Sequence, residues 1–392
     1  MKKNGTNLAA IVSLLLLCGP VVLSPFFFAR NRSFINEIEN RELTGFPDVR
    51  TPDDLLLEST WEELSAWLEE RVPFRGDVIM AKSWADTEFL LQRRFGRVDR
   101  GDDGWLFFRD SYGLHWRQEA NDVADAVTSL DAFIARHADS KASFRLLLLP
   151  DKHTIYPEHL TEDGRRDVAT VSDDRARLQR RFAVEDDSHV IDIHGAMLQA
   201  KSQGDHELYF RDDTHQNLHG ALVMTRAIID SLLPGAWDGD HVLLTNVYEK
   251  EGDLRKMIGS SVKKPLQYDM LAIYRPGVHV SRIEFEDQLY TDFSTIDAQE
   301  LAWRLPLKIQ YRSDESLPMV PGRTLLLHDS CIGSIARPLL RPFFNDITFK
   351  HYKDMTSSSM HQAMMDYDNV IVQFVERHAP LGMNQFLMDP DH

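Results

Sequence analysis

Thr324-Leu325-Leu326-Leu327-His328-Asp329-Ser330 is the stretch on which the fold turns. An apolar run of this kind, entered through Pro321-Gly322, reads as a strand buried on both faces of a parallel sheet. Ser330 then falls where the strand gives way to a helix over 332–344. Unpaired N–H groups at a helix start can stabilise an oxyanion, and a serine there becomes a nucleophile once a neighbouring base takes its proton. The same pattern also fits a plain helix cap by Asp329 or Ser330. His328 is expected to face away from the serine, because adjacent strand residues point to opposite sides. Cys331 reads as a buried structural thiol.

The base for such a serine is found far upstream, in Asp212-Asp213-Thr214-His215. In an extended segment residues i and i+2 point the same way. Asp213 can then hold one imidazole nitrogen of His215 while the other faces Ser330. Asp212 reads as a solvated neighbour. The carboxylates with His215 and His219 also admit a metal site, although no HExxH or cysteine-rich spacing accompanies them, and no metal is expected.

Around these two blocks strands and helices alternate. Gly101 to Phe108 is a turn and a short strand, 118–137 a helix, and Phe144–Leu149 a strand. The loop Asp151 to Pro157 follows that strand's C-terminal end, where open α/β sheets bind ligands, so Lys152 and Tyr156 are candidate substrate contacts, with orientation of the site as the alternative role for Lys152. A helix at 171–183, strands at Val190–Ile193 and Leu208–Phe210, and a helix from Asn217 to about Leu233 come next. Residues 240–318 read as a β-rich insertion, with alternation over Val278–Phe285. Strands at Ile347–Tyr352 and Val370–Val375 and a helix at 357–366 complete the pattern. The fold class is α/β, a mainly parallel sheet with helices on both faces.

The formal net charge of −17 repels a phosphate backbone, which excludes nucleic acid as the expected partner. Arg337, Arg341, Lys350, His351 and Lys353 form a local basic cluster that would offset this field for an acidic polymer; a solvated face is the plainer reading. Lys2 and Lys3 precede an apolar run from Leu8 to Ala29, which as helix spans about 33 Å, enough for a bilayer. The expectation is a single-pass signal-anchor over 1–30 in the inner membrane, with the body of the chain in the periplasm. Pro20 and Pro25 keep a cleaved signal peptide open as the alternative. Residues 31–100 form a stalk and helical lead-in, and 101–392 the catalytic domain.

Five stretches in order resemble the alginate O-acetyltransferase family, SGNH-hydrolase-like acetyltransferases of bacterial exopolysaccharide modification. They are Glu39-Asn40-Arg41 with Phe46-Pro47 and Trp67 to Arg75; Gly104-Trp105-Leu106-Phe107; Pro150-Asp151-Lys152 with Tyr156-Pro157; Asp213-Thr214-His215 with Asn217 and Gly220-Ala221; and Asp329-Ser330. The resemblance implies an SGNH-hydrolase-like (flavodoxin-like) sheet. It also implies Ser330 as nucleophile, His215 as base and Asp213 as its orienter. The implied reaction is acetyl transfer through an acetyl-serine to a polysaccharide hydroxyl, without a cofactor. A membrane-embedded acyltransferase is the implied source of acetyl groups. A carbohydrate acetyl esterase and a non-catalytic scaffold of a polysaccharide export complex are the alternatives. Two positions depart from the pattern: Gln216 stands where Trp is usual, and His328 where Gly is usual.

Overall fold

The structure is a computed structural model. It describes residues 44–387 except 52–53, 55, 71, 73, 89–92, 113–115, 117–122, 183–188, 205, 238–241, 251, 259–265, 274, 276, 286–287, 291–304 and 314–316. The expected anchor over 1–30 lies outside these residues. No described helix is long and apolar enough to cross a membrane. The chain divides into two compact units, Met1–Phe95 with Asp253–Lys263, and Gly96–Gly252 with Lys264–His392.

The described part of the first unit holds the helices Glu58–Glu69 and Arg75–Glu88, β1 (Arg94–Phe95) and the helix Asp253–Met257. The helix Glu58–Glu69 begins without a side-chain cap. The Asp54 carboxylate is occupied by the Arg50 and Thr51 N–H groups, at 2.9 and 2.7 Å. Buried Glu70 accepts from the N–H and hydroxyl of Thr44, and Phe46 packs edge-on against Trp67.

The second unit is built on one large sheet. A hairpin of β2 (Val98–Arg100) and β3 (Leu106–Phe108) precedes it, and β4 is Ser143–Leu149 and β5 Val190–Ile191. β6 (Val242–Lys250) and β7 (Leu266–Ile273) pair with each other. The remaining strands are β8 (Val278–Phe285), β9 (Gln288–Tyr290), β10 (Leu307–Ser313), β11 (Val320–His328), β12 (Phe344–His351) and β13 (Asn369–Val375). The sheet order is β5-β4-β13-β11-β12-β10-β8-β9. From β5 to β12 every pairing is parallel, and from β12 outward every pairing is antiparallel. Thus β8 to β10, expected within an accessory insertion, continue the main sheet.

Both faces of the parallel part are covered. Leu147, Leu149, Leu326, Ile371 and Val375 pack on one side with Met224, Ile228 and Leu339, which lie on the helices Leu218–Leu232 and Gly333–Leu340. Leu146, Leu148, Leu325, Leu327, Val370 and Val372 pack on the other with Leu130, Leu178, Met360 and Met383. Alternate residues of one strand therefore feed two cores, which is why the strands read as continuous apolar runs. Each fully buried leucine contributes about 2 kcal/mol.

One expected strand is shorter. Val190–Ile193 stops at Ile191, because the Asp192 side chain accepts the Gly195 N–H at 2.8 Å and starts a helix, Ile193–Gln203. Leu208–Phe210 is not a strand but a loop carrying one isolated bridge, Tyr209 to Gln216. Asn217 caps the next helix by accepting the His219 and Gly220 N–H groups. A β-carbon at Gly220 would lie 2.3 Å from the Leu208 carbonyl and 2.8 Å from the Gln216 β-carbon, so that helix start presses directly on the loop. Gly220→Ala is expected to cost about 2 kcal/mol through this overpacking, read as a lower urea midpoint at unchanged m-value.

Candidate active site

Three parallel strands, β4, β13 and β11, end at the same edge of the sheet, and the site lies there. β11 delivers His328-Asp329-Ser330. Asp329 is buried and shapes the turn: one carboxylate oxygen accepts the Cys331 N–H, the other the Val375 N–H at the end of β13, both at 2.8 Å. Its own N–H is taken by the Gln373 side chain at 3.1 Å. Burial would raise the Asp329 carboxyl, but these N–H bonds and nearby Arg377 hold it below its usual range. Ser330, the next residue, stays exposed. The helix begins three residues later, at Gly333, and the Cys331 N–H is already committed to Asp329. Of the N–H groups behind the serine, that of Cys331 is therefore not available to an oxyanion.

The loop between Leu208 and Asn217 brings up the other half. His215 Nε2 lies 3.0 Å from Ser330 Oγ. His215 Nδ1 lies 2.6 Å from Asp213 Oδ1, which also accepts the His215 N–H at 3.0 Å. A carboxylate only accepts, so Nδ1 carries the proton and Nε2 offers its lone pair to the serine hydroxyl. The Asp213 side chain is 1% exposed and that of His215 is 29% exposed, so the carboxylate is sealed in while the ring reaches solvent. Asp212, expected to be solvated, is buried at 1% exposure.

The two positions that depart from the family pattern both bear on this turn. Gln216 is buried, and its amide donates to the Cys331 carbonyl, tying the histidine loop to the serine turn. His328 is buried, faces the ring of Phe349 edge-on, and donates from Nδ1 to the Asp329 carbonyl at 2.6 Å. Burial, with Arg337 nearby, pushes His328 down to about 4, so it is a neutral packing group at neutral pH. Cys331 is buried and its thiol is pushed well up by burial and by Asp329, which makes a thiolate nucleophile unfavourable.

Of the four expected substrate contacts, Lys152, Tyr156 and Arg337 are buried. Lys152 is buried and donates to the carbonyls of Phe210 and Arg211, both at 3.0 Å, and of Asp213 at 2.8 Å. Tyr156 is buried in the core, its hydroxyl accepting the Leu208 N–H at 2.9 Å. Arg337 is buried against Phe349 and bonds the Gly333 carbonyl of its own helix. Arg341 is half-buried at the end of that helix, so Arg337 and Arg341 do not form one open basic face. These placements put Lys152 and Tyr156 in the scaffold and not at a surface where an acceptor would lie.

Beneath the site runs a buried ionic network not read from the sequence. Arg377 pairs with Asp151, and Arg175 lies 3.2 Å from Glu376. Glu376 also accepts from Thr154 at 2.6 Å, Gln179 at 2.8 Å and the Asp151 N–H at 3.1 Å. Its signal was Glu376-Arg377-His378, charges directly after the apolar run of β13.

Fold and site together define an SGNH-hydrolase-like protein. The chain belongs to the family described as "SGNH hydrolase-like domain, acetyltransferase AlgX", whose model matches residues 98–295. That span includes Asp213 and His215 but ends before Ser330. Among curated proteins none matches the sequence. Bacillus cereus PatB1 is similar in structure at 13% identity and a TM-score of 0.49, over 71% of this chain and 95% of that one. The O-acetyltransferase domain of Pseudomonas putida AlgJ is similar at 16% identity and 0.41, over 75% and 96%. Pseudomonas aeruginosa AlgX is similar at 14% and 0.40, over 73% and 67%.

The low value for His328 has a consequence for stability. Its folded value, about 4, lies below the ordinary 6.5, so its contribution is present above pH 6.5 and is lost as pH falls through 4. His378, pushed down to about 3 by burial and Arg377, adds its own loss from pH 6.5 down through 3. His328→Gln should flatten the decline in unfolding free energy between pH 6.5 and 4 by on the order of 3 kcal/mol, measured by urea titration across that range.

Proposed function

We propose that this chain is an exported O-acetyltransferase that moves an acetyl group through an acetyl-Ser330 intermediate onto hydroxyls of a bacterial exopolysaccharide. Family membership supports acetyl transfer. The observation that carries the serine mechanism is the unbroken contact from Asp213 through His215 to Ser330, at 2.6 and 3.0 Å, with the serine exposed.

The chemistry follows from those three side chains. His215 Nε2 takes the Ser330 proton as Oγ attacks the acetyl carbonyl of an ester or thioester donor. The tetrahedral oxyanion forms beside the Ser330 N–H, and collapse expels the donor's alkoxide or thiolate, which leaves with the proton from Nε2. A sugar hydroxyl then gives its proton to His215 and attacks the acetyl-serine. Collapse of that second adduct releases the sugar ester, and the proton returns to Ser330. Asp213 stays ionised throughout and holds the ring in the tautomer the first step needs.

The remaining features of this reading come from the sequence. The apolar segment before residue 30 would hold the protein as a single-pass inner-membrane anchor, with the catalytic unit in the periplasm. A membrane-embedded acyltransferase would supply acetyl groups there.

With purified protein, an activated acetyl ester and an exopolysaccharide-derived oligosaccharide, a sugar acetyl ester should form. Ser330→Ala and His215→Ala should each lower its rate at least a thousandfold. Free acetate without any sugar ester would replace the transferase with an esterase. A Ser330→Ala protein of undiminished rate would remove the mechanism.

A further inference from the structure

The loop that carries Asp213 and His215 has almost no regular structure to hold it, since between Leu208 and Asn217 it makes one isolated bridge. Its shape is set from below. Three carbonyls, those of Phe210, Arg211 and Asp213, turn inward onto the ammonium of Lys152. An ammonium has three N–H donors and each finds a carbonyl within 3.0 Å. The rings of Trp105 and Phe107 flank the same nitrogen, with centroids at 5.7 and 5.5 Å. The hairpin that carries them also bonds the loop directly, Leu106 N–H to the Arg211 carbonyl at 2.7 Å.

Lys152 is itself placed by the sheet. It opens the short helical turn Lys152–Ile155 at the end of β4, and Asp151 before it is locked to Arg377 at the end of β13. The clamp is therefore referenced to the same strand ends as the serine turn, which Asp329 ties to Val375 on β13.

We infer that Lys152 is a positioning residue for the acetyl-transfer reaction. By drawing the Asp213 carbonyl inward it fixes the backbone from which the Asp213 carboxylate reaches His215 Nδ1. Through that carboxylate it sets the His215 ring against Ser330. It touches neither donor nor acceptor. The inference rests on the serine mechanism proposed above. A guanidinium is planar and wider, so its donors do not converge on three carbonyls as an ammonium's do, and arginine is not equivalent here.

The test measures steady-state acetylation of an oligosaccharide from an activated acetyl ester by the full-length protein, with Lys152→Arg, Lys152→Met and Lys152→Ala. Ser330→Ala serves as a control that tests the serine mechanism separately. If acetylation survives in that control, the mechanism fails and not the clamp alone. Folding of each variant is checked by near-UV circular dichroism. The expected result is a fall in kcat of about a hundredfold with KM within threefold of the parent, and partial restoration of Lys152→Ala by methylammonium. Lys152→Arg decides the matter if the smaller replacements do not fold, because it keeps the charge and leaves no cavity. A rate within threefold of the parent in any folded variant overturns the inference, and so does a loss carried in KM.

Discussion

The contact between Ser330 Oγ and His215 Nε2 joins two turns 115 residues apart, and the rest of the unit is arranged so that it can form. A serine hydroxyl is a weak nucleophile until an imidazole lone pair is held against it. Neither side chain has enough local structure to hold itself there. The serine turn depends on Asp329, a buried carboxylate that takes two N–H groups from two segments. The histidine loop depends on an ammonium beneath it and on Gln216, whose amide crosses to the Cys331 carbonyl. Buried polar groups of this kind are costly unless fully bonded, and here their partners are the backbone of the two turns.

The sheet explains why both turns meet. Parallel strands end together, and the residues that follow β4, β11 and β13 fall along one edge. Lys152, Asp329 and Glu376 each lie within a few residues of a strand end and each bonds backbone in another segment. The two leucine-rich cores on either face make the strands rigid enough to serve as a common reference.

Much of this was legible in the sequence, for physical reasons. Leu325 to Leu327 and Val370 to Val375 read as strands because residues of both parities are buried. The pairing of Asp213 with His215 was legible from their two-residue spacing, although the segment turns there instead of running extended, with Asp213 Oδ1 accepting both the His215 N–H and its ring N–H. Other features were hidden because they depend on distant partners. Asp192 reads as the middle of a strand until its carboxylate is seen to take the Gly195 N–H. Asp212 reads as solvated because nothing local buries it. Lys152 reads equally as a substrate contact or an orienting group, because the three carbonyls that decide between them lie about 60 residues away along the chain. Arg337 drops out of the basic cluster for a related reason: it is buried on its helix.

Gln216 and His328, where the family pattern breaks, do not disturb the serine–histidine contact; each is absorbed into the turn by a bond to a neighbouring carbonyl. The chemistry of the site therefore comes down to whether Ser330 accepts an acetyl group. Intact mass after incubation with an activated acetyl ester tests this most directly. The predicted result is a gain of one acetyl group, mapped to Ser330 and absent from Ser330→Ala. A mass that never changes, or an adduct that persists in Ser330→Ala, would contradict it.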